Sequence, residues 1–238
     1  MNLISLQFKT SSNFQTNLDK LVSLISKCDD DSFILAPELC LSGFYYDKLD
    51  DAYDISLRAI DILKTLSFSK TIALTLCIKK NDKFFNTLHI FSKGEVFYTQ
   101  SKVNLFPLDD ELKYFSAGTK EDIKIVNING IKVATLICFE LRFVEYWQKL
   151  QGADIILVPS MWGKLRKQNF LSLTNSLAII NQCYVLASDS SNENMASSSG
   201  VINPFGIEIR DDNKEIISMP YCQKEIKKMR RYLKVGIS

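Results

Sequence analysis

Short apolar runs rich in β-branched and aromatic residues recur along the chain. Such runs are typical of strands that are buried on both faces of a sheet. They occupy residues 33–37, 71–78, 132–138, 154–160 and 184–190. Between them, apolar residues recur at intervals of three and four, which is the spacing of a helix with one buried face. This spacing predicts helices over residues 13–27, 54–66 and 170–182, the first of them capped by Asn13.

The alternation of strand and helix patterns predicts a layered α/β fold. Three hairpin patterns, however, exclude a purely parallel sheet, so mixed sheets are expected. The hairpin turns are predicted near Gly94, at Asn129-Gly130 and over residues 211–213. Because no linker rich in Pro, Gly or Ser divides the chain, residues 1–238 are expected to form a single domain.

One polar stretch of low complexity interrupts these patterns. Residues 188–200 read SDSSNENMASSSG. This composition favours a mobile surface loop, and a loop that borders a binding pocket is the alternative.

Composition and charge narrow the class of protein. The 238 residues are 46% apolar, and 29 basic residues nearly balance 27 acidic ones. A chain so close to neutral has no general attraction for nucleic acid or for an anionic membrane, so neither is an expected partner. The chain also has no apolar run approaching the roughly 18 residues of a membrane span. Because the N-terminus lacks a basic, apolar leader, a cytoplasmic location is expected.

The six cysteines show no C-x-x-C spacing, which favours reduced thiols over a zinc site or a disulfide framework. Cys138 differs from the others because it ends the apolar run at 132–138 and precedes a helix-compatible segment at 139–151. A buried, inert thiol is the commoner fate of such a residue. At a helix N-terminus, however, the dipole and free N–H groups lower the pKa of a thiol and can hold an oxyanion, so Cys138 is also a candidate nucleophile.

A nucleophile of this kind needs a base, and the chain has one histidine. His89 lies inside a strand pattern, which favours a structural role. Two charged residues that interrupt apolar segments are the alternatives. Glu38 directly follows the run at 33–37, at the strand end where α/β folds place their sites, and Lys102 shortly precedes Leu-Phe-Pro. Taken singly, either residue also fits a solvated loop.

Together, three segments resemble motifs of the nitrilase, or carbon-nitrogen hydrolase, superfamily. APELCLSGF is similar to its glutamate motif around Glu38, SKVNLF to its lysine motif around Lys102, and ICFELRFVE to its cysteine motif around Cys138. ELKYFSAG resembles the segment that carries a second glutamate, here Glu111. The segments follow the order of the family, and the resemblance extends over nearly the whole chain.

This resemblance implies a four-layer α-β-β-α sandwich with two mixed sheets, and an amidase that needs neither a metal nor an organic cofactor. Glu38, Lys102 and Cys138 would form its catalytic triad, and Glu111 would orient the site. The expected contacts to the substrate or its oxyanion are Phe139, Trp162 and Arg142. Members of the superfamily commonly pair through helices beside the site, so a homodimer is expected.

The motif CFELRF most resembles the corresponding motif of the ω-amidase and deaminated-glutathione amidase branches of the superfamily. This resemblance implies the class of substrate. Those enzymes cleave small carboxamides that carry a carboxylate. A carboxylate needs a cationic or N–H anchor, and Lys164, Arg166 and Lys167 are the candidates. An N-carbamoyl amine hydrolase, an acyl transferase on the same scaffold and a non-catalytic binding protein stay open as alternatives.

Several positions depart from the pattern of the family. Asn104 stands where histidine is usual, Glu140 where aspartate is usual, and Val144 where proline is common. Ile180 lies in a helix that normally carries a charged pattern. These changes leave the three motif residues in place, so they bear on substrate and stability more than on mechanism.

Overall fold

The computed structural model of the protein describes residues 1–237 and contains two six-stranded β-sheets. In spatial order, the first sheet contains β12 (Ile216–Pro220), β1 (Asn2–Leu6), β2 (Ser32–Leu35), β3 (Thr71–Lys80), β4 (Lys83–Ser92) and β5 (Glu95–Ser101). The second sheet contains β11 (Glu208–Arg210), β10 (Gly200–Ile202), β9 (Tyr184–Ser188), β8 (Ile155–Pro159), β7 (Ile131–Thr135) and β6 (Val126–Ile128). Each apolar run predicted to be a strand overlaps one of these elements.

Both sheets are mixed, as the hairpin patterns predict. In the first sheet β1, β2 and β3 are parallel, and β12, β4 and β5 pair antiparallel at its sides. The second sheet repeats this arrangement, with β7, β8 and β9 parallel and β6, β10 and β11 antiparallel. The backbone N–H of Glu38, after β2, donates to the carbonyl of Ser160, after β8, at 3.2 Å. The carboxyl ends of the two parallel sets therefore meet.

Helices flank the two sheets. They are α1 (Phe14–Ser26), α2 (Leu49–Leu66), α3 (Glu111–Tyr114), α4 (Val144–Lys149), α5 (Lys167–Asn181) and α6 (Gln223–Tyr232). Helices α1 and α2 pack with the first sheet, and α5 packs on the second. Asn13 caps α1 as predicted, because its Oδ1 accepts the N–H of Thr16 at 3.1 Å. Within residues 1–237, no helix combines the length and the apolar character needed to cross a membrane.

The two sheets pack face to face through a shared apolar core. Leu3 and Leu35 from the first sheet and Ile156 and Leu186 from the second belong to the same buried cluster. A second cluster lies between the first sheet and its two helices and includes Leu21 of α1. Burial of apolar surface is the main favourable term in folding, so these two clusters hold the layers together. The layers confirm the predicted α-β-β-α sandwich.

Two of the predicted hairpins are correct. The chain reverses at Lys93-Gly94 between β4 and β5, and at Asn129-Gly130 between β6 and β7. The φ angles of Asn129 and Gly130 are 51° and 87°, the left-handed conformation that a tight two-residue hairpin turn requires.

The third hairpin prediction is wrong. Residues 211–213 do turn, but they carry the chain from β11 in the second sheet to β12 in the first. The side chain of Gln7 holds this crossing, because its Nε2 donates to the carbonyls of Asp211, Asp212 and Lys214 at 3.2, 3.1 and 3.2 Å. The hairpin of this region lies upstream, between β10 and β11, where Oδ1 of Asn203 closes the turn.

The polar stretch at 188–200 is a loop that borders a pocket, the alternative to a simple surface loop, because Asn192, Asn194 and Met195 line a cavity. Ser190 and Ser199 in this stretch are completely buried. The N–H of Ser199 donates to Oε1 of Gln7 at 2.9 Å, and the hydroxyl of Ser190 lies 3.4 Å from the carbonyl oxygen of Phe8. Hydrogen bonds to the chain after β1 thus satisfy its buried polar groups.

The six cysteines are all unpaired in the described chain. Burial raises the pKa of Cys28 to about 11 and the pKa values of Cys40 and Cys77 to about 12. These three thiols are therefore protonated at neutral pH and pack as small apolar groups.

Candidate active site

The carboxyl ends of the strands surround a cavity of about 330 Å³. Glu38 enters it from the chain after β2, Lys102 from the end of β5, Glu111 from the start of α3, and Cys138 from the chain after β7. All four were predicted from the sequence, and the structure brings them together.

Lys102 lies at the centre of this group and contacts both glutamates. Its Nζ is 2.8 Å from Oε1 of Glu38 and 2.9 Å from each carboxylate oxygen of Glu111. Lys102 and Glu111 are each 1% exposed and Glu38 is 0% exposed, so water screens these ion pairs weakly. Burial lowers the pKa of Lys102, but the charges of the nearby Glu38 and Glu111 carboxylates act against burial, and the pKa is raised overall. The lysine is therefore a permanent cation in the cavity.

The two glutamates are held differently. Oε1 of Glu38 also accepts the side-chain N–H of Asn86 at 2.8 Å, whereas its Oε2 accepts no hydrogen bond from a nitrogen or oxygen donor within residues 1–237. Oε2 of Glu111 accepts the backbone N–H of Phe106 at 2.6 Å. Burial raises the pKa of Glu111, and Lys102 opposes that effect. Glu38 is thus the glutamate with a free oxygen in the cavity.

Asn86 was not singled out from the sequence. It is completely buried on β4, between phenylalanines and a threonine. A buried amide requires a hydrogen-bonding partner, and Asn86 finds it in Glu38. The polar residue inside an apolar strand pattern was the available signal.

Cys138 occupies a strained turn at the end of its strand pattern. Its φ is +51°, in the left-handed region that residues other than glycine rarely adopt. It begins a 3-10 helix at Cys138–Arg142, and α4 starts only at Val144. The single helix predicted from residue 139 is therefore two short elements, because the left-handed start leads into a tighter turn. Such strain is typical of functional sites.

The surroundings of Cys138 keep its thiol protonated in the free protein. Burial raises its pKa well above the ordinary value, and the charge of Glu38 and a side-chain hydrogen bond to Glu38 act in the same direction. Lys102 and the backbone N–H of Met161 act in the opposite direction, because both favour the thiolate. The proton of Cys138 thus lies beside a carboxylate that can accept it.

Glu140, one of the departures from the family pattern, is buried and links two segments of the site. Its Oε1 accepts the N–H of Val103 at 2.6 Å, and its Oε2 accepts the N–H of Ile137 at 2.7 Å. These residues are the direct neighbours of Lys102 and Cys138. Burial raises the pKa of Glu140 to about 7, although the backbone N–H groups oppose the shift. One carboxyl therefore ties the lysine segment to the cysteine turn.

The other departures lie outside the cavity. The hydroxyl of Tyr146 donates a hydrogen bond to Oδ1 of Asn104 at 2.6 Å. Val144 is the exposed first residue of α4, a position that also suits proline. Ile180 is exposed near the end of α5. None of these three residues lines the cavity.

The cavity mouth carries two arginines over aromatic rings. The guanidinium of Arg142 lies 4.7 Å from the ring centroid of Trp162, and that of Arg166 lies 5.1 Å from the ring centroid of Phe106. Arg142 also donates to Oδ1 of Asn169 at 3.0 Å. Neither guanidinium forms an ion pair with a carboxylate in the described part of the chain. Two arginines that stack on aromatic rings and form no ion pair within residues 1–237 therefore line the cavity.

The structure places some of the residues predicted to contact the substrate in the cavity and others outside it. Phe139, Trp162, Arg142 and Arg166 line the cavity. Lys164 and Lys167 do not, and Lys167 pairs instead with Asp212. The short 3-10 helix Lys164–Arg166 turns successive side chains in different directions, so only the arginine points inward.

His89 lies outside the cavity, as its position in a strand pattern predicts. Its Nδ1 is 3.1 Å from the carbonyl oxygen of Thr87, and its ring stacks 6.0 Å from that of Phe91. Burial lowers the pKa of His89 to about 4. The imidazole is therefore neutral at physiological pH and serves the packing of the sheet.

A sequence model of the carbon-nitrogen hydrolase family matches residues 4–222. The chain belongs to the carbon-nitrogen hydrolase family. This carbon-nitrogen hydrolase is 29% identical over 211 residues to the 2-oxoglutaramate amidase of Bacillus subtilis (strain 168), across 84% of this chain and 81% of that protein. It is 25% identical over 222 residues to the deaminated glutathione amidase of Escherichia coli O157:H7, across 85% of this chain and 82% of that protein.

Solved structures share the fold of this carbon-nitrogen hydrolase. A carbon-nitrogen hydrolase from Helicobacter pylori G27 superposes with a TM-score of 0.87 at 17% identity, over 98% of this chain and 92% of that chain. An amidase from Nesterenkonia sp. AN1 superposes with a TM-score of 0.81 at 17% identity, over 98% of both chains. A mutant of that amidase carries acrylamide added to its active-site cysteine. At these identities the likeness concerns the fold.

Proposed function

We propose that this carbon-nitrogen hydrolase cleaves a small carboxamide through a thioester on Cys138. The observation that carries the proposal is the contact of Lys102 Nζ with both Glu38 and Glu111 in the cavity that contains Cys138. A thiol, a carboxylate with a free oxygen and a fixed cation are the groups that acyl transfer from an amide requires. The cysteine adduct of the Nesterenkonia amidase supports the same choice of nucleophile.

In the first step, Cys138 attacks the amide carbonyl. Its S–H proton passes to Glu38 as the S–C bond forms and the carbonyl oxygen gains the negative charge. Lys102 and the backbone N–H of Phe139 hold that oxyanion, since a preorganised cation and an N–H donor stabilise the developing charge. Glu111 keeps Lys102 in place through two contacts of 2.9 Å.

In the second step, the C–N bond breaks and the proton on Glu38 moves to the leaving nitrogen, which departs as ammonia. Water then attacks the thioester while Glu38 removes one of its protons. The S–C bond breaks, the carboxylic acid leaves, and the proton returns to the thiol. Glu38 alternates between general base and general acid, which one carboxyl in contact with both the nucleophile and the leaving group can do.

The favoured substrate is a short aliphatic ω-amide of a dicarboxylic or keto acid. Arg142 and Arg166 supply the anchor for its carboxylate, because both are cations at the cavity mouth without a carboxylate partner within residues 1–237. Guanidinium groups bind carboxylates through paired N–H donors. The names of the Bacillus and Escherichia relatives, a 2-oxoglutaramate amidase and a deaminated glutathione amidase, support this class.

An ammonia-release screen tests the function. Purified protein is assayed with ω-amides of dicarboxylic acids, with the matching amides that lack the carboxylate, and with N-carbamoyl amines. We expect turnover to be highest with the carboxylate-bearing amides and to be absent in Cys138→Ala. Faster release from a carbamoyl amine would contradict the substrate, and no release from any class would favour a non-catalytic protein.

We further propose that the protein forms a homodimer through the outer face of α5. Ile179, Ile180, Phe205 and Ile207 are between 40% and 64% exposed there, and the hairpin tip at Gly206 lies against Ile179. A contiguous exposed apolar patch is typical of an interface. Light scattering at micromolar concentration should give a dimer, and Ile180→Asp should give a monomer. Leu165→Asp, a substitution at a fully exposed residue elsewhere, is the matched control. A monomeric wild type would contradict the proposal.

A further inference from the structure

The segment that follows β8 contacts three separate groups of the site. The carbonyl of Ser160 accepts the N–H of Glu38 at 3.2 Å. Met161 and Cys138 line the same cavity, and the backbone N–H of Met161 lowers the pKa of the Cys138 thiol because it favours the thiolate. The N–H of Trp162 lies 3.1 and 3.2 Å from the two carboxyl oxygens of Asp189. The position of this short segment therefore determines where an N–H donor meets the nucleophile.

Asp189 is itself held rigidly. It is completely buried, and its Oδ1 accepts the N–H of Ser190 at 2.7 Å. Its own N–H donates to the hydroxyl of Ser199 at 2.8 Å. A buried carboxyl in a fixed position can hold a neighbouring strand end in turn.

We propose that Asp189 is a positioning residue for the nucleophile: its carboxyl holds the Trp162 N–H and thereby aims the Met161 N–H at the sulfur of Cys138. The proposal rests on the proposed role of Cys138. The carboxyl does not reach the substrate, and its effect on the reaction passes through the backbone of residues 161 and 162.

The hydrogen-bond donors of Asp189 show which property of its carboxyl the proposed role requires. Its partners are backbone N–H groups, so the requirement is an acceptor oxygen and not a negative charge. Burial, followed in smaller measure by the charge of Glu38, raises the pKa of Asp189 well above the ordinary range, although the N–H groups of Ser190 and Trp162 oppose the shift. An asparagine can offer its Oδ1 to the same two donors, whereas a leucine leaves the Trp162 N–H buried without a partner.

The test compares Asp189→Leu and Asp189→Asn in the full chain. Cys138 is alkylated with iodoacetamide across a range of pH, and the labelled site is identified by mass spectrometry. This readout needs no substrate, so it reports on Asp189 even if the proposed amide class is wrong. Cys28, Cys40 and Cys77 are protonated internal references, because burial raises their pKa values to between about 11 and about 12.

Asp154→Leu is the matched control. Asp154 is also buried, and its Oδ2 accepts a backbone N–H, that of Lys132, at 3.0 Å. It precedes β8, however, whereas Ser160 to Trp162 follow that strand. Its loss should destabilise the fold without moving the Met161 N–H.

We expect Asp189→Leu to slow alkylation at neutral pH by about tenfold and to move the pH profile upward, since the thiolate loses an N–H donor. Asp189→Asn should change the rate by less than about threefold, and Asp154→Leu should leave it unchanged. In ammonia release, Asp189→Leu should lower kcat more than it raises KM. If the leucine variant does not fold, Asp189→Ala replaces it.

The proposal is overturned if the folded leucine or alanine variant is alkylated at the wild-type rate, because the role is then only structural. It is also overturned if asparagine is as damaging as leucine, or if Asp154→Leu slows alkylation equally. Failure of the proposed function looks different. In that case the wild type releases ammonia from none of the amides, while the order of alkylation rates still stands.

Discussion

The carboxyl groups buried around Cys138 fall into two pairs that differ in their partners. Glu38 and Glu111 share the ammonium of Lys102, with contacts of 2.8 to 2.9 Å. Glu140 and Asp189 are just as buried, but each has backbone N–H groups as its hydrogen-bond donors. The carboxyls proposed to react and those proposed to support the site are therefore equally buried, and they differ in the type of donor that they contact.

The physical reason lies in what each partner makes possible. A single ammonium attracts both carboxyl groups without occupying every oxygen, and Oε2 of Glu38 is left without a nitrogen or oxygen donor within residues 1–237. Backbone N–H groups instead fix a carboxyl to the chain, so that it holds two segments in register. On this account, Glu38 and Glu111 act on the reaction, and Glu140 and Asp189 act on the geometry.

Lys102→Met breaks the first pair and should have the largest effect. We expect turnover to fall by at least about a thousandfold, because residues that act as a unit lose activity together. The two unpaired carboxylates should also cost roughly 3–5 kcal/mol of unfolding free energy. Ammonia release and urea denaturation measure the two effects. Adding Glu111→Gln to Lys102→Met should restore part of the stability but no turnover, and restored turnover would contradict the assignment.

Arg166→Met tests the proposed carboxylate anchor at the cavity and should have a smaller effect. For a carboxylate-bearing amide we expect KM to rise by about tenfold, with a lesser change in kcat, since the lost contact binds the ground state and the transition state alike. Lys164→Met is the matched control, because Lys164 lies on the same 3-10 helix but does not line the cavity. An equal rise of KM in both variants would show that the overall positive charge of this region matters, and not a direct contact between Arg166 and the substrate.

Glu140→Gln tests one of the two supporting carboxyls through the pH dependence of the unfolding free energy. The pKa of Glu140 is raised from 4.5 to about 7 by burial. The folded state therefore binds the proton more tightly than the unfolded state, so this group's stability contribution is present below pH 4.5 and lost as the pH rises through 7. Relative to the wild type, the variant should gain roughly 3 kcal/mol of unfolding free energy between those limits. Urea denaturation at both ends of the window measures it, and parallel pH curves would contradict the shift.

His89→Leu should have the smallest effect on turnover, less than about twofold, because His89 lies outside the cavity. Its effect on stability has the opposite sign to that of Glu140. The pKa of His89 is lowered from 6.5 to about 4, so its contribution is present above pH 6.5 and lost as the pH falls through 4. The variant should therefore resist acid better than the wild type in thermal unfolding at low pH. A folded but inactive variant would show that His89 takes part in the chemistry.

The layers could be predicted from the sequence, and so could the residues that the cavity brings together. Glu38, Lys102 and Cys138 each interrupt or end an apolar run, but each also fits a structural or solvated role when taken singly, and the resemblance to the family grouped them. The strands and the longer helices follow from local periodicity, which a single chain displays directly. The second glutamate, Glu111, came from the resemblance to the family.

The roles of Glu140 and Asp189 and the crossing between the two sheets could not be predicted from the sequence, because they depend on contacts between distant segments. Asp189 lies in a polar stretch whose composition suggested a surface loop, and its partner is Trp162. The turn at 211–213 has the residues of a hairpin turn, but Gln7 determines which sheet the next strand joins. Lys167 could not be separated from Arg166 by sequence, since its pairing with Asp212 is also long-range.

The most direct test of the contrast compares Glu38→Gln with Glu140→Gln in one ammonia-release assay. Both substitutions replace a buried carboxyl by its amide, so size and shape are matched, and circular dichroism checks the fold of each. We predict that Glu38→Gln loses at least about a thousandfold in kcat, because no group is left to take the thiol proton, whereas Glu140→Gln loses less than about tenfold. Equal losses in the two variants, or a greater loss in Glu140→Gln, would contradict the division into reacting and supporting carboxyls.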